Sequence, residues 1–232
     1  MMDFLNNIVS DMNGFLWTYV IITLLVVAGF YFTFRLRFVQ IRHFNEMFRL
    51  IVSSAGSKTK GNEISSFQAF CVSTASRVGV GNIAGIAIAI TTGGPGAIFW
   101  MWFIAVIGAA TGFVESTLGQ IYKVPVTGKK GETSFRGGPA YYLKYGLGYS
   151  AWAALFAVLI SVTYGMIYNS VQANTISLAL NSAFGFDRTV VGIILAIASV
   201  AIICGGLGRI ARVTEWMVPL MAGIYILVAL GI

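Results

Sequence analysis

Charge is the scarcest property of this chain of 232 residues: Asp, Glu, Lys and Arg together make up 10% of it, against roughly 25% in an ordinary soluble domain. With 57% apolar residues and a mean hydropathy of +0.83, a soluble fold of this length lacks the polar surface to enclose the rest. Cysteine is nearly absent as well. Cys71 and Cys204 both fall in apolar runs, where a disulfide is disfavoured and a small buried hydrophobe is the ordinary role. The lone histidine, His43, sits among arginines and reads as an interfacial polar residue rather than a metal ligand or base. The apolar runs hold no Asp pair, no His–Glu metal spacing and no Ser–Lys or Ser–His constellation, which excludes an intramembrane enzyme. No basic region precedes the first apolar run, so no cleavable signal peptide is expected.

Long apolar runs fill the chain instead. Phe15 to Phe34, Ala97 to Val114, Ala151 to Ser170, Thr189 to Gly208 and Trp216 to Ile232 carry no charge. Each approaches or reaches the roughly 20 residues that a bilayer requires of a helix. Phe67 to Ile90 is a sixth run, interrupted only by Arg77. Alternating strands of about ten residues, the mark of an outer-membrane barrel, do not occur. The expected class is an all-α polytopic membrane protein with six transmembrane helices, since helices satisfy their own backbone in lipid.

The formal net charge of +7 could point to nucleic acid, but its distribution points elsewhere. Six of the fifteen Lys and Arg lie between Arg35 and Lys60, five between Lys123 and Lys144, and two at Arg209 and Arg212. These segments alternate with the apolar runs so that all three fall on one side of the membrane, leaving Arg188 alone on the other. The positive-inside rule makes that side the cytoplasm of a plasma membrane, with the amino terminus outside. The bilayer is the expected partner, and no nucleic acid is.

Two segments organise the chain. Residues 1–65 comprise an external terminus, a leading helix and a cytoplasmic amphipathic piece, in which Phe38, Ile41, Phe44, Phe48 and Ile51 recur at helical spacing among Arg37, Arg42 and Arg49. Such a piece lies in the interface. Residues 66–232 hold five further helices. Gly146 to Phe186 lacks charge over 41 residues, about 60 Å as one helix, so it is either a long tilted helix or a helix followed by an external segment.

The second run contains SRVGVGNIAG, Ser76 to Gly85. Gly79, Gly81 and Ala84 formally match a dinucleotide fingerprint, but the strand and alternating α/β pattern it needs are absent. Small residues four apart, Gly81 and Gly85, would let membrane helices approach closely; that explains the glycines but neither Asn82 nor Arg77. A broken helix explains more. Gly79 and Gly81 each lower helix propensity by about 1 kcal/mol. Unwinding there would expose N–H groups on one side and carbonyls on the other, the device by which many secondary transporters hold a substrate carboxylate and a cation.

SRVGVGNIAGIAIAI, followed by GGPGAIFWMWFIAVIG, resembles the alanine or glycine:cation symporters, also called sodium:alanine symporters or amino-acid carriers. The run Gly93 to Trp102 is the more specific of the two, and GGPAYYL at Gly137 to Leu143 and NSVQANTIS at Asn169 to Ser177 also fit. The resemblance implies a LeuT-type inverted-repeat transporter, of which this chain is the leading helix plus the first five-helix repeat. It implies sodium-coupled symport of a small neutral amino acid, alanine or glycine, with sodium as coupling ion rather than a bound cofactor. By the same resemblance Val80, Gly81 and Asn82 receive the substrate carboxylate through main-chain N–H groups, and Gln172 faces the substrate. Carbonyls near Ala75 and Val78 would help hold sodium. Family members often carry Thr or Ser where this chain has Val80, which offers only backbone and a methyl surface. The family is about twice this length, so the chain is expected to be a fragment lacking the second repeat.

Arg77 lies inside the second run and Glu115 near the cytoplasmic end of the third. A long arginine can reach toward that end, so a structural ion pair between them is expected, with Glu215 as the competing partner. The rival to a symporter is an ion channel or pore subunit in which the glycine-rich break forms a filter.

Overall fold

In the computed structural model, residues 2–55, 64–127 and 133–231 are described. The chain begins with a long helical rod: α1 (Met2–Phe15), a π-helical stretch (Leu16–Ile21) and α2 (Ile22–Arg35). It turns at Arg37 and Phe38, both in the left-handed region at φ 53° and 56°, an uncommon conformation for residues other than glycine. Two short helices come next, α3 (Val39–Arg42) and α4 (Phe44–Ser54). The corner is braced by Phe38 N–H donating to Thr33 O at 2.8 Å, and by Gln40 Nε2 donating to the buried Thr33 Oγ1 at 3.2 Å.

The second apolar run forms two helices, α5 (Ser66–Arg77) and α6 (Val80–Gly93), bent by 53°. Ser65 and Gln68 start α5 with a reciprocal capping box, which supplies partners for two N–H groups the first turn leaves free. Gly94, at φ 69°, and Pro95 reverse the chain. α7 (Gly96–Ile121) returns, followed by an antiparallel hairpin, β1 (Val124–Thr127) on β2 (Thr133–Arg136), and by α8 (Pro139–Tyr145). Val124 pairs with Arg136 and Val126 with Ser134.

The charge-free region is one long rod: α9 (Ser150–Val162), a π-helical stretch (Thr163–Ile167) and α10 (Tyr168–Phe184). α11 (Arg188–Ile203) and α12 (Gly206–Gly231) complete the described chain. Among the described residues four helices are long and apolar enough to cross a bilayer: Asn6–Arg35, Gly96–Ile121, Ser150–Phe184 and Gly206–Gly231. The bent pair makes five if it counts as one span. The remaining expected span, Thr189 to Gly208, forms α11 of 16 residues, about 24 Å at 1.5 Å per residue, short of a hydrocarbon core of roughly 30 Å. The chain is a multi-pass helical membrane protein, and the hairpin among its basic residues is an element that hydropathy does not reveal.

Small residues make some of the helix contacts. On α2, Gly29 lies against Ile107 of α7, where a Cβ would meet the isoleucine side chain at 3.3 Å; Phe30 and Phe103 meet beside it with ring centroids 6.0 Å apart. α5 packs on α12, and Cys71 of α5 is fully buried, as are Ala211 and Val218 of α12. Large side chains point outward instead: Trp102 is 74% and Leu230 80% exposed. Lipid makes that arrangement stable, because hydrocarbon is as good a neighbour for leucine as another leucine is, and close approach of backbones is what holds such helices together.

Gly29→Leu should drive α2 away from α7, costing about 1–3 kcal/mol as overpacking does and lowering the melting temperature in detergent. At the α10–α11 turn, Asp187 accepts from the N–H groups of Val190 and Thr189, at 3.1 and 2.9 Å. These bonds, that from Val190 foremost, hold its carboxyl below the usual carboxylate range. A depressed folded-state pKa means stability that is present above the unfolded value and is lost as pH falls through the folded one. Asp187→Ala should therefore lower the melting temperature at neutral pH, with the difference from the parent protein shrinking in acid.

Candidate functional site: the broken span

The break occupies Val78 and Gly79. Gly79 is extended, at φ −99° and ψ 165°, and α6 starts immediately after it. Val78 N–H still closes the last turn of α5 on Thr74 O at 2.9 Å, and Asn82 N–H turns to Gly79 O at 3.0 Å. Among the described residues no backbone N–H is bonded to the carbonyl oxygens of Ala75 or Val78. Buried backbone groups need partners, and in a membrane interior they must come from the protein. Side chains provide two of them. The Asn82 side-chain amide donates to Arg77 O, folding the polar group back across the break. From α10, Gln172 Oε1 accepts the Val80 N–H at 2.9 Å.

Gly79 admits this contact because it has no side chain. A Cβ there would lie 2.6 Å from Gln172 Nε2 and 3.0 Å from the Tyr168 hydroxyl. Tyr168 and Gln172 are four residues apart on α10 and so share a face. Directly before them, the π-helical stretch Thr163–Ile167 fits an extra residue into its turn; such bulges rotate the helix beyond them and recur at functional sites. On its other side the break borders a cleft of about 420 Å³, formed by Thr74, Val78 and Asn82 with Met221 and Tyr225 of α12.

Of the expected site residues, the fold thus brings Val80 and Gln172 into direct contact, with Gly81 and Asn82 in the same first turn of α6 and the Ala75 and Val78 carbonyls across the break. Arg77 and Glu115 are not brought together. Among the described residues the one ion pair is Arg49 with Glu46, at 3.8 Å. Arg77 ends α5, where a positive charge complements the negative end of the helix dipole. Glu115 lies near Tyr142 of α8; burial and this carboxylate push the Tyr142 hydroxyl above its usual range. Glu215, the competing partner, accepts from Gln68 Nε2 at 2.8 Å, tying the start of α5 to α12.

Two of these residues, Tyr168 and Gln68, escape sequence reading, though both leave a signal. Tyr168 precedes Gln172 by one helical turn. Ser65-Ser66-Phe67-Gln68 spells the capping box that brings Gln68 to the helix start.

A multi-pass helical protein with an apolar helix pair bent by 53° at a break, its backbone met by a polar side chain from a neighbouring helix, has the build of a membrane transporter. The chain belongs to the sodium:alanine symporter family, which it matches over residues 2–232. It is 54% identical over 229 residues to the probable sodium/glutamine symporter GlnT of Bacillus subtilis, covering 99% of this chain and 47% of that protein. It is 50% identical over 231 residues to the amino-acid carrier protein AlsT of the same organism, covering 99% and 48%. To the sodium/alanine symporter AgcS of Methanococcus maripaludis it is 38% identical over 236 residues, covering 100% and 51%. The chain spans about half the length of these curated relatives. The family is one of transporters rather than enzymes, and its name makes sodium the coupling ion, not a bound cofactor.

Contact between Gly79 and Gln172 is testable by a double-mutant cycle. Gly79→Ala keeps an accessible backbone conformation, so its cost is steric and should be about 1–3 kcal/mol. Gln172→Ala in the same protein should recover most of that loss of thermal stability; additive effects would show that the two positions do not touch.

Proposed function

We propose that this chain provides half of the binding site of a sodium-coupled symporter for a small neutral amino acid, working by alternating access in the plasma membrane with its amino terminus outside. The proposed architecture is a leading helix and the first repeat of a five-plus-five LeuT-type fold. The observation that carries the reading is the broken span with its leading Val80 N–H held by Gln172 Oε1 at 2.9 Å. A helix N-terminus is a ready anion site, since free N–H groups and the helix dipole both favour negative charge. The substrate carboxylate binds there, at the N–H groups of Val80 and Gly81 with Gln172 beside it, while the Asn82 N–H, bonded to Gly79 O, closes the turn below. Sodium binds the carbonyls of Ala75 and Val78, which with those of Ser76 and Arg77 accept no backbone N–H among the described residues; Arg77 O is already taken by the Asn82 side chain. The cleft between the break and α12 is mostly apolar and suits an uncharged side chain. Names of relatives support two candidate substrates, alanine and glutamine, while glycine stands on the family resemblance.

The test is uptake of labelled L-alanine, glycine and L-glutamine into proteoliposomes holding the full-length protein. Uptake of at least one of them should rise when an inward sodium gradient is imposed and collapse when the gradient is dissipated. Transport indifferent to sodium, or sodium current without any amino acid, would sink the symporter reading.

A further inference from the structure

Gln172 Oε1 takes the N–H that begins α6, the group to which the proposed function assigns the substrate. A carboxylate oxygen and an amide oxygen are both acceptors and Val80 has one proton to give, so the two compete. We propose that Gln172 is a built-in stand-in for the substrate carboxylate, capping α6 when no substrate is bound and giving way when the anion arrives. The inference rests on the proposed binding of the carboxylate at this helix start.

The exchange requires only rotation of the carboxamide. Nε2 already lies at Gly79, near enough to leave no room for a side chain there. Turning the amide about its last torsion withdraws Oε1 from Val80 and presents the Nε2 donor to the incoming oxygen. The same group then serves opposite roles in the two states, as acceptor without substrate and as donor with it. Charge drives the exchange: a hydrogen bond to an ionised acceptor is roughly twice as strong as one between neutral groups, and the α6 dipole adds to it. A neutral amide in place of the carboxylate gains neither advantage. Gln172 therefore makes the site selective for a free carboxylate over its amide or ester, beyond any fit to the side chain. Tyr168, one turn earlier, sets its hydroxyl beside Gly79 as well.

Gln172→Glu in the full-length protein is the decisive variant, because it tethers a permanent carboxylate at the same N–H. Thermal stability of the ligand-free protein should hold or rise, while the apparent affinity for L-alanine or L-glutamine, read from ligand-induced thermal shifts, should fall about 10- to 100-fold as expected for a charge-assisted bond. Gln172→Met, similar in shape but without the amide, should lower ligand-free stability and narrow the preference of the parent protein for L-alanine over L-alaninamide. If Gln172→Glu binds as the parent does, or Gln172→Met keeps the full preference, the stand-in role is overturned. Should the Glu variant fail to fold, the Met variant decides alone. If the parent protein itself shows no sodium-dependent binding of any of these amino acids, the proposed function fails rather than this inference.

Discussion

A backbone N–H or C=O that leaves a helix inside hydrocarbon has no water to turn to, and each such group left bare costs several kcal/mol. The break at Val78 and Gly79 creates these groups, and much of the surrounding structure answers them. Gln172 crosses from α10 to take the Val80 N–H, and the Asn82 side chain folds back onto Arg77 O. Glycine at 79 is what lets α10 come this close. Arg77 places its charge on the end of α5 where the helix dipole favours it. The break is thus held by groups drawn from three helices.

Elsewhere the fold depends on close approach rather than on bulk. Gly29 lies on Ile107, and Cys71 of α5 and Ala211 and Val218 of α12 are buried on two helices that pack together, while tryptophans such as Trp102 and leucines such as Leu230 are exposed. This inverts the pattern of a soluble core, as lipid removes the penalty for exposing them. One polar tie joins the same elements away from the break: Gln68 to Glu215, between the start of α5 and α12. The half-helix α5 is therefore fastened at its base by a hydrogen bond and ends at the 53° bend.

Much of this was legible without coordinates. Hydropathy located the apolar segments, though helices run well beyond the charge-free runs, as α12 begins at Gly206 and not at Trp216; glycines with Asn82 in an apolar run pointed to the break. The long charge-free stretch resolved into a single rod, Ser150–Phe184, one of two forms its length allowed. Less visible was the hairpin Val124–Thr127 with Thr133–Arg136, since four-residue strands leave little periodicity to detect. The left-handed corner at Arg37 and Phe38 was also invisible, because neither residue favours that conformation and the bonds to Thr33 that hold it come from the fold. The expected Arg77–Glu115 pair rested on reach alone. Reach permits many partners; in this structure Glu215 meets Gln68 and Glu115 lies by Tyr142.

By itself, the sequence determined the medium, the helical class and the place where one span fails, because these depend on local quantities: transfer energies summed over some twenty residues, and the poor helix propensity of glycine. Only the tertiary structure decided which group meets the failed backbone. Val80 and Gln172 are 92 residues apart, and their contact depends on helix packing and on the π-helical turn that sets the phase of α10. A side chain's direction is a property of the assembled helices, and no pattern within either segment encodes it.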